Sequence, residues 1–158
     1  MREKAGGQAG LTFLEMIATA AILMILASAV LPVIRLSRAR QKEAELRSAL
    51  RTLRVAIDRY HVASAQGMIG GTDVQLGSEG YPKDLDVLVT GVSQAGKADR
   101  KLKFLRHIPR DPMTGNREWG RRCYQDDADS SSWCGANVWD VYSLSGSKGL
   151  DGSPYKEW

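Results

Sequence analysis

Apolar residues are laid out along this chain in three textures. From Leu11 to Ile34 they are almost continuous, and Glu15 is the single charge among those 24 residues. A helix crosses a bilayer with about 20 consecutive apolar residues, so the run predicts a membrane-spanning helix over 11–34. The next stretch is periodic instead. Leu46, Ala49, Leu50, Leu53, Ala56, Ile57 and Tyr60 recur at helical spacing and make one apolar stripe, while Arg47, Arg51, Arg54 and Asp58 fall off it. Neither Pro nor Gly interrupts residues 33–66. The spacing therefore predicts that 35–66 is the amphipathic half of the same helix, running from about Thr12 to Ser64 with a kink at Pro32.

After Gly67 the pattern breaks into short pieces, which predict a globular head over 67–158. Residues 67–80 hold five glycines and read as a loop. A short helix is expected near 81–89, with Leu85, Leu88 and Val89 on one face, and 91–101 reads as a second polar loop. Runs at 102–108, 118–124 and 137–144 predict strands of a small antiparallel sheet, separated by turn chemistry such as Asp111-Pro112-Met113-Thr114-Gly115. The expected fold class is α+β, a long N-terminal helix packed on a small antiparallel head.

Composition changes this picture little. The 158 residues suffice for one small domain with an appendage, and 43% hydrophobic with 25% charged residues excludes wholesale disorder. The charge is more informative in segments. Residues 35–60 carry +5, whereas 111–158 carry −3. A basic stretch beside an apolar segment points to anionic lipid headgroups. No aromatic-interleaved basic motif accompanies it, so nucleic acid is not an expected partner.

The first ten residues are a polar leader. In a secretory signal the apolar core precedes the cleavage site. Here the small residue Gly10 comes first, so a cut there would leave the hydrophobic segment on the mature chain. Glu15 then stands out, because a carboxylate inside a membrane segment costs on the order of 3 kcal/mol and is usually paired. A cut after Gly10 would give Leu11 a free α-amine four residues before Glu15. Within one chain the amine can neutralise Glu15; between chains the same pairing would set the axial register of a helical assembly.

Gly10-Leu11-Thr12-Phe13-Leu14-Glu15 resembles the prepilin peptidase site of type IV pilins and type II secretion pseudopilins. The resemblance implies removal of the 1–10 leader, N-methylation of Leu11, and contact between Glu15 and a neighbouring subunit's amine. Pro32 falls where that family commonly has a helix-kinking proline, and Leu11 stands where Phe or Met is usual. The implied topology is a single pass through a bacterial inner membrane, with the leader cytoplasmic and the head periplasmic. That opposes a count of charges alone, since Arg35, Arg38, Arg40 and Lys42 follow the apolar run and only Arg2 and Lys4 precede it.

A second likeness lies in the head. Lys42-Glu43-Ala44-Glu45-Leu46, Tyr81-Pro82, Phe104 through Pro112, and Asp140 through Gly146 with Asp151-Gly152 are similar to the major, G-type pseudopilin of type II secretion. This implies a structural subunit and no enzyme. Its partners would be copies of itself and minor pseudopilins, membrane lipid before assembly, the prepilin peptidase/N-methyltransferase, an inner-membrane platform with its ATPase, and a secretin. A type IV pilus pilin is the alternative, and a membrane-anchored periplasmic binding domain the rival from another class. In the G-type subfamily a loop near the C-terminus binds calcium. The calcium expectation rests here on Asp151, with Asp140 beside it, although the chain ends in Tyr155-Lys156-Glu157-Trp158 without the usual second acidic pair.

Other candidates read as structural. From Asp127 the acidic run imitates an EF-hand opening, but Ser132 occupies position six and Val138 position twelve, so the template fails. Cys123 and Cys134 lack both CxxC spacing and a nearby His. They would form a disulfide if the head lies outside the cytoplasm, or remain two buried thiols otherwise. His61 and His107 have no catalytic partner in sequence. Tyr124, Trp133, Trp139 and Tyr142 read as core or interface aromatics.

Overall fold

The computed structural model describes residues 10, 12–70, 77–127, 129–130 and 132–158. A single helix, α1 (Phe13–Ala65), is followed by the short α2 (Leu85–Thr90) and by strands β1 (Val92–Gln94), β2 (Lys97–Leu102), β3 (Gly120–Arg122) and β4 (Asp140–Tyr142), with a 3₁₀ turn at Tyr155–Glu157. The fold is therefore α+β. The chain divides into two compact units between Ala39 and Arg40.

In the first unit α1 runs through Pro32 without interruption. Proline has no N–H to offer the Ser28 carbonyl four residues back, yet the helical assignment continues on both sides. Every described side chain from Thr12 to Arg38 is exposed. Among the described residues, the apolar run thus has no packing partner within its own unit.

In the second unit the helical stripe supplies the core. Leu46, Leu50, Leu53, Ile57 and Tyr60 are buried, joined by Leu85 and Leu88 of α2 and by Ile69, Val92, Trp119, Val138, Val141 and Tyr155. Burying each large aliphatic side chain contributes about 2 kcal/mol, so the stripe fixes α1 as the base on which the rest folds. α2 begins where Asp84 accepts the Leu85 N–H on Oδ1 at 2.6 Å, a cap that uses an otherwise orphaned donor. It ends at Gly91, whose φ of 82° and approach to the Leu102 carbonyl leave no room for a side chain.

The head differs from the sequence expectation in its strands. Residues 91–101, expected as a loop, form most of a hairpin: β1 pairs antiparallel with β2, Val92 opposite Leu102 and Ser93 opposite Lys101, around Ala95-Gly96. These strands are short and largely polar, so their alternation was hidden. Residues 102–108, expected as a strand, belong to one only at Leu102. The Phe104 and Leu105 amides instead donate to the Leu88 carbonyl at 3.0 and 2.9 Å, satisfying the end of α2. β3 and β4 lie inside the other two expected runs and pair with each other, Gly120 opposite Tyr142 and Arg122 opposite Asp140. The expected three-stranded sheet is thus two separate ladders.

Gly120 shows how tightly the β3–β4 ladder is built. A Cβ there would run into the Tyr142 ring. Gly120→Ala is expected to destabilise the full chain by about 2 kcal/mol, as overpacking at a buried site does. Chemical denaturation followed by tryptophan fluorescence measures this; unchanged stability would contradict the packing.

Candidate functional site

The sequence-predicted residues fall at the start of α1, with Pro32 further along it, in the loop between Cys123 and Cys134, and in the stretch from Asp140 to Asp151. Gly10 is exposed, and a Cβ built there meets nothing within 4 Å. Leu11 lies outside the described residues. Thr12 precedes α1 and caps it: its Oγ1 accepts the Glu15 N–H at 3.3 Å, and its carbonyl accepts the Met16 N–H at 3.1 Å. Thr12 and Glu15 stand at the spacing of a capping box, a local signal present in the sequence itself. Glu15 sits in the first turn, where the helix dipole favours a negative charge. Among the described residues no cation lies within ion-pairing distance of it. Its neighbours are the exposed Phe13, Leu14, Met16 and Ile17. By length and composition α1 can cross a bilayer, which would place this carboxylate in an apolar medium.

At the far end of the sequence the expected calcium pair is not formed. Asp140 lies between two guanidinium groups. Arg54 reaches it with Nε at 2.7 Å and Nη2 at 3.3 Å, and Arg122 Nη1 stands 3.6 Å away. A carboxylate already facing two cations does not fit a third. Asp151 is held by its own turn, its Oδ1 accepting the Ser153 N–H at 3.0 Å and the Ser153 hydroxyl at 2.6 Å. Those bonds, with help from Arg47, hold its carboxyl below the usual carboxylate range. Calcium takes six to eight oxygens, and no group of three or more acidic, His or Cys side chains gathers around either aspartate among the described residues. The residues present do not fit that ion.

The acidic loop is organised by other means. Cys123 and Cys134 are joined by a disulfide, with Cα atoms 5.9 Å apart. Asp126 also lies close to the two sulfurs, but the bond leaves no thiolate for a metal. Asp126 Oδ2 accepts the Cys123 N–H at 2.7 Å, closing the turn. The buried Asn137 Oδ1 accepts the Tyr124 N–H at 3.0 Å, and the Asn137 carbonyl takes Trp133 Nε1–H at 2.7 Å. The aromatics divide in role. Tyr142 is buried under Arg122, whereas His61, Tyr81, Tyr124 and Trp139 form a run of ring contacts, with Tyr124 and Trp139 exposed.

Three buried charged residues, Asp111, Arg122 and Glu43, have partners that the sequence did not reveal. Asp111 accepts the Ser143 hydroxyl at 2.6 Å and the Met113 N–H at 2.8 Å. Arg122 donates to the carbonyls of Ser130 and Lys156 at 3.1 and 3.0 Å, linking the acidic loop to the C-terminus. Glu43, on α1, accepts the Leu150 N–H at 2.7 Å. Asp111 at the head of a Pro-Met-Thr-Gly turn was recognisable as turn chemistry; the partners of the other two lie far away in sequence.

Reducing the disulfide is expected to lower the stability of the full chain by about 3 kcal/mol, the chain-entropy value for so short a loop. Thermal melts with and without a phosphine reductant measure it, and coincident melts would contradict a bonded pair in the isolated protein. Compared with protein-family models, with curated proteins and with solved structures, the chain matches none of them.

Proposed function

We propose that this chain is the precursor of a filament subunit of the type II secretion pseudopilus kind, a structural protein that acts through geometry. The observation that carries this reading is the apolar first half of α1, exposed throughout its described side chains and marked by one carboxylate in its first turn. Hydrolysis of the Gly10–Leu11 bond by a prepilin peptidase would release the leader and create an α-amine on Leu11. The exposure of Gly10 supports access to that bond. In the inner membrane the apolar helix is solvated by lipid. On assembly, packing against neighbouring helices replaces lipid contact, and the heads form the outer surface in the periplasm.

Glu15 is the register element. Alone in lipid its carboxylate costs on the order of 3 kcal/mol. Paired with the methylated amine of an adjacent subunit's first residue it forms a charge-assisted contact, and only one axial offset between helices permits it. The basic positions 35–42 then serve lipid headgroups before assembly and subunit packing after it.

Glu15→Ala removes the register partner while easing insertion. Co-expressed with a prepilin peptidase and the assembly platform, the variant is expected to be cleaved and membrane-bound, with filament yield reduced at least about tenfold for the loss of a charged contact worth some 1.4 kcal/mol or more. Electron microscopy of sheared filaments measures the yield. Normal filaments from this variant would overturn the pairing.

A further inference from the structure

The C-terminal segment is folded onto α1 by contacts from Glu43, Arg47 and Arg54. Glu43, Arg47, Leu50 and Arg54 recur at three- and four-residue spacing and so share one helical face. Glu43 is 9% exposed. Its Oε1 accepts two donors from the C-terminal segment, the Leu150 N–H at 2.7 Å and the Tyr155 hydroxyl at 3.2 Å. The Arg47 guanidinium lies 4.3 Å from the Trp158 ring centroid, and Arg54 Nη2 donates to the Trp158 carbonyl at 2.8 Å. Within the segment, Trp158 Nε1–H reaches Ser153 Oγ at 2.6 Å, while Ser153 donates to Asp151. Gly149 completes the closure, because a Cβ there would press on the Trp158 ring and on Asp151 Oδ1.

We infer that Glu43 is the residue that closes the C-terminal loop, holding it to α1 through hydrogen donors and making the loop's conformation independent of calcium. A divalent cation organises a loop by gathering oxygens around itself. Here Oε1 of Glu43 and Oδ1 of Asp151 each accept two hydrogens from N–H and O–H groups, which occupy lone pairs a cation would otherwise use. Arg47 and Arg54 add positive charge on the same face. Among the described residues no buried side-chain nitrogen or oxygen is left without a partner, so the enclosed part of the clamp offers an ion no unpaired side-chain oxygen. The two mechanisms also differ in what they ask of Glu43. A cation site requires its charge, whereas the hydrogen-bond clamp requires an acceptor oxygen.

The test uses the full chain in detergent, with calcium at about 1 mM or with a chelator, and reads amide hydrogen exchange of 147–158 together with the melting temperature. The wild type is expected to behave identically in both conditions. Glu43→Ala should accelerate exchange of this segment about tenfold, leaving the α2 and β1–β2 amides unchanged. Glu43→Gln, which keeps an acceptor oxygen, should lie close to wild type. Should Glu43→Ala fail to fold, Tyr155→Phe removes one donor alone and should give a smaller acceleration, about threefold, in the same segment. Slower exchange or a raised melting temperature with calcium would overturn the inference. So would Glu43→Gln proving as damaging as Glu43→Ala, or Tyr155→Phe exchanging as wild type.

Discussion

Apolar surface without an internal partner is the constraint on which this molecule turns. Among the described residues, thirteen large hydrophobic side chains between Phe13 and Leu36 are exposed, Phe13 by 81%. Leaving each in water forgoes about 2 kcal/mol, a total in the tens of kcal/mol. The whole stability of a small domain is only about 5–15 kcal/mol. The segment therefore needs apolar surroundings that its own unit does not provide. Lipid supplies them, and so do the same helices of other copies; the proposed filament moves the helix from the first environment to the second. A lone carboxylate has little place in such a segment unless pairing recovers its cost, and this is why Glu15 bears so much of the functional reading.

The second unit solves the opposite problem. Its helix has an apolar stripe that the head covers, and polar side chains fasten the cover. Arg54 joins Asp140, the Val141 carbonyl and the Trp158 carbonyl, so β4 and the C-terminus are tied to one helical turn. Arg122 ties β3 to the acidic loop and to the 3₁₀ turn. Such bonds contribute roughly 1–3 kcal/mol each when charged groups take part, less at the partly exposed Arg54. Their larger effect is to select one arrangement of short strands and loops that carry little regular structure of their own. Tyr155 marks the same enclosure: burial first, then its bond to Glu43, raise its hydroxyl above the usual tyrosine pKa and keep it a donor.

Long-period features were legible in the sequence and long-range ones were not. The stripe from Leu46 to Tyr60 announced both α1 and the core, because a 3.6-residue period repeated over four turns has few rivals. The short helix after Pro82 was legible because Leu85, Leu88 and Val89 fall on one face, while its start at Leu85 is set by the Asp84 cap, a signal that went unused. The hairpin at 92–102 was not, because its strands are short and mostly polar. Residues 102–108 misled in the other direction: their apolar content reflects packing of a loop on α2. Asp140 looked like a free acidic ligand, and only the fold reveals two arginines beside it. Glu43 left a usable trace, standing three residues before Leu46 and seven before Leu50, where the stripe calls for an apolar residue. A carboxylate on a core stripe signals a buried partner.

The fate of the Gly10–Leu11 bond decides whether this chain matures into a filament subunit. Intact mass and N-terminal sequence of the chain recovered from a membrane that contains a prepilin peptidase would read it. The expected result is a mature chain beginning at N-methylated Leu11, with the apolar helix retained. A chain still beginning at Met1 under those conditions would contradict it.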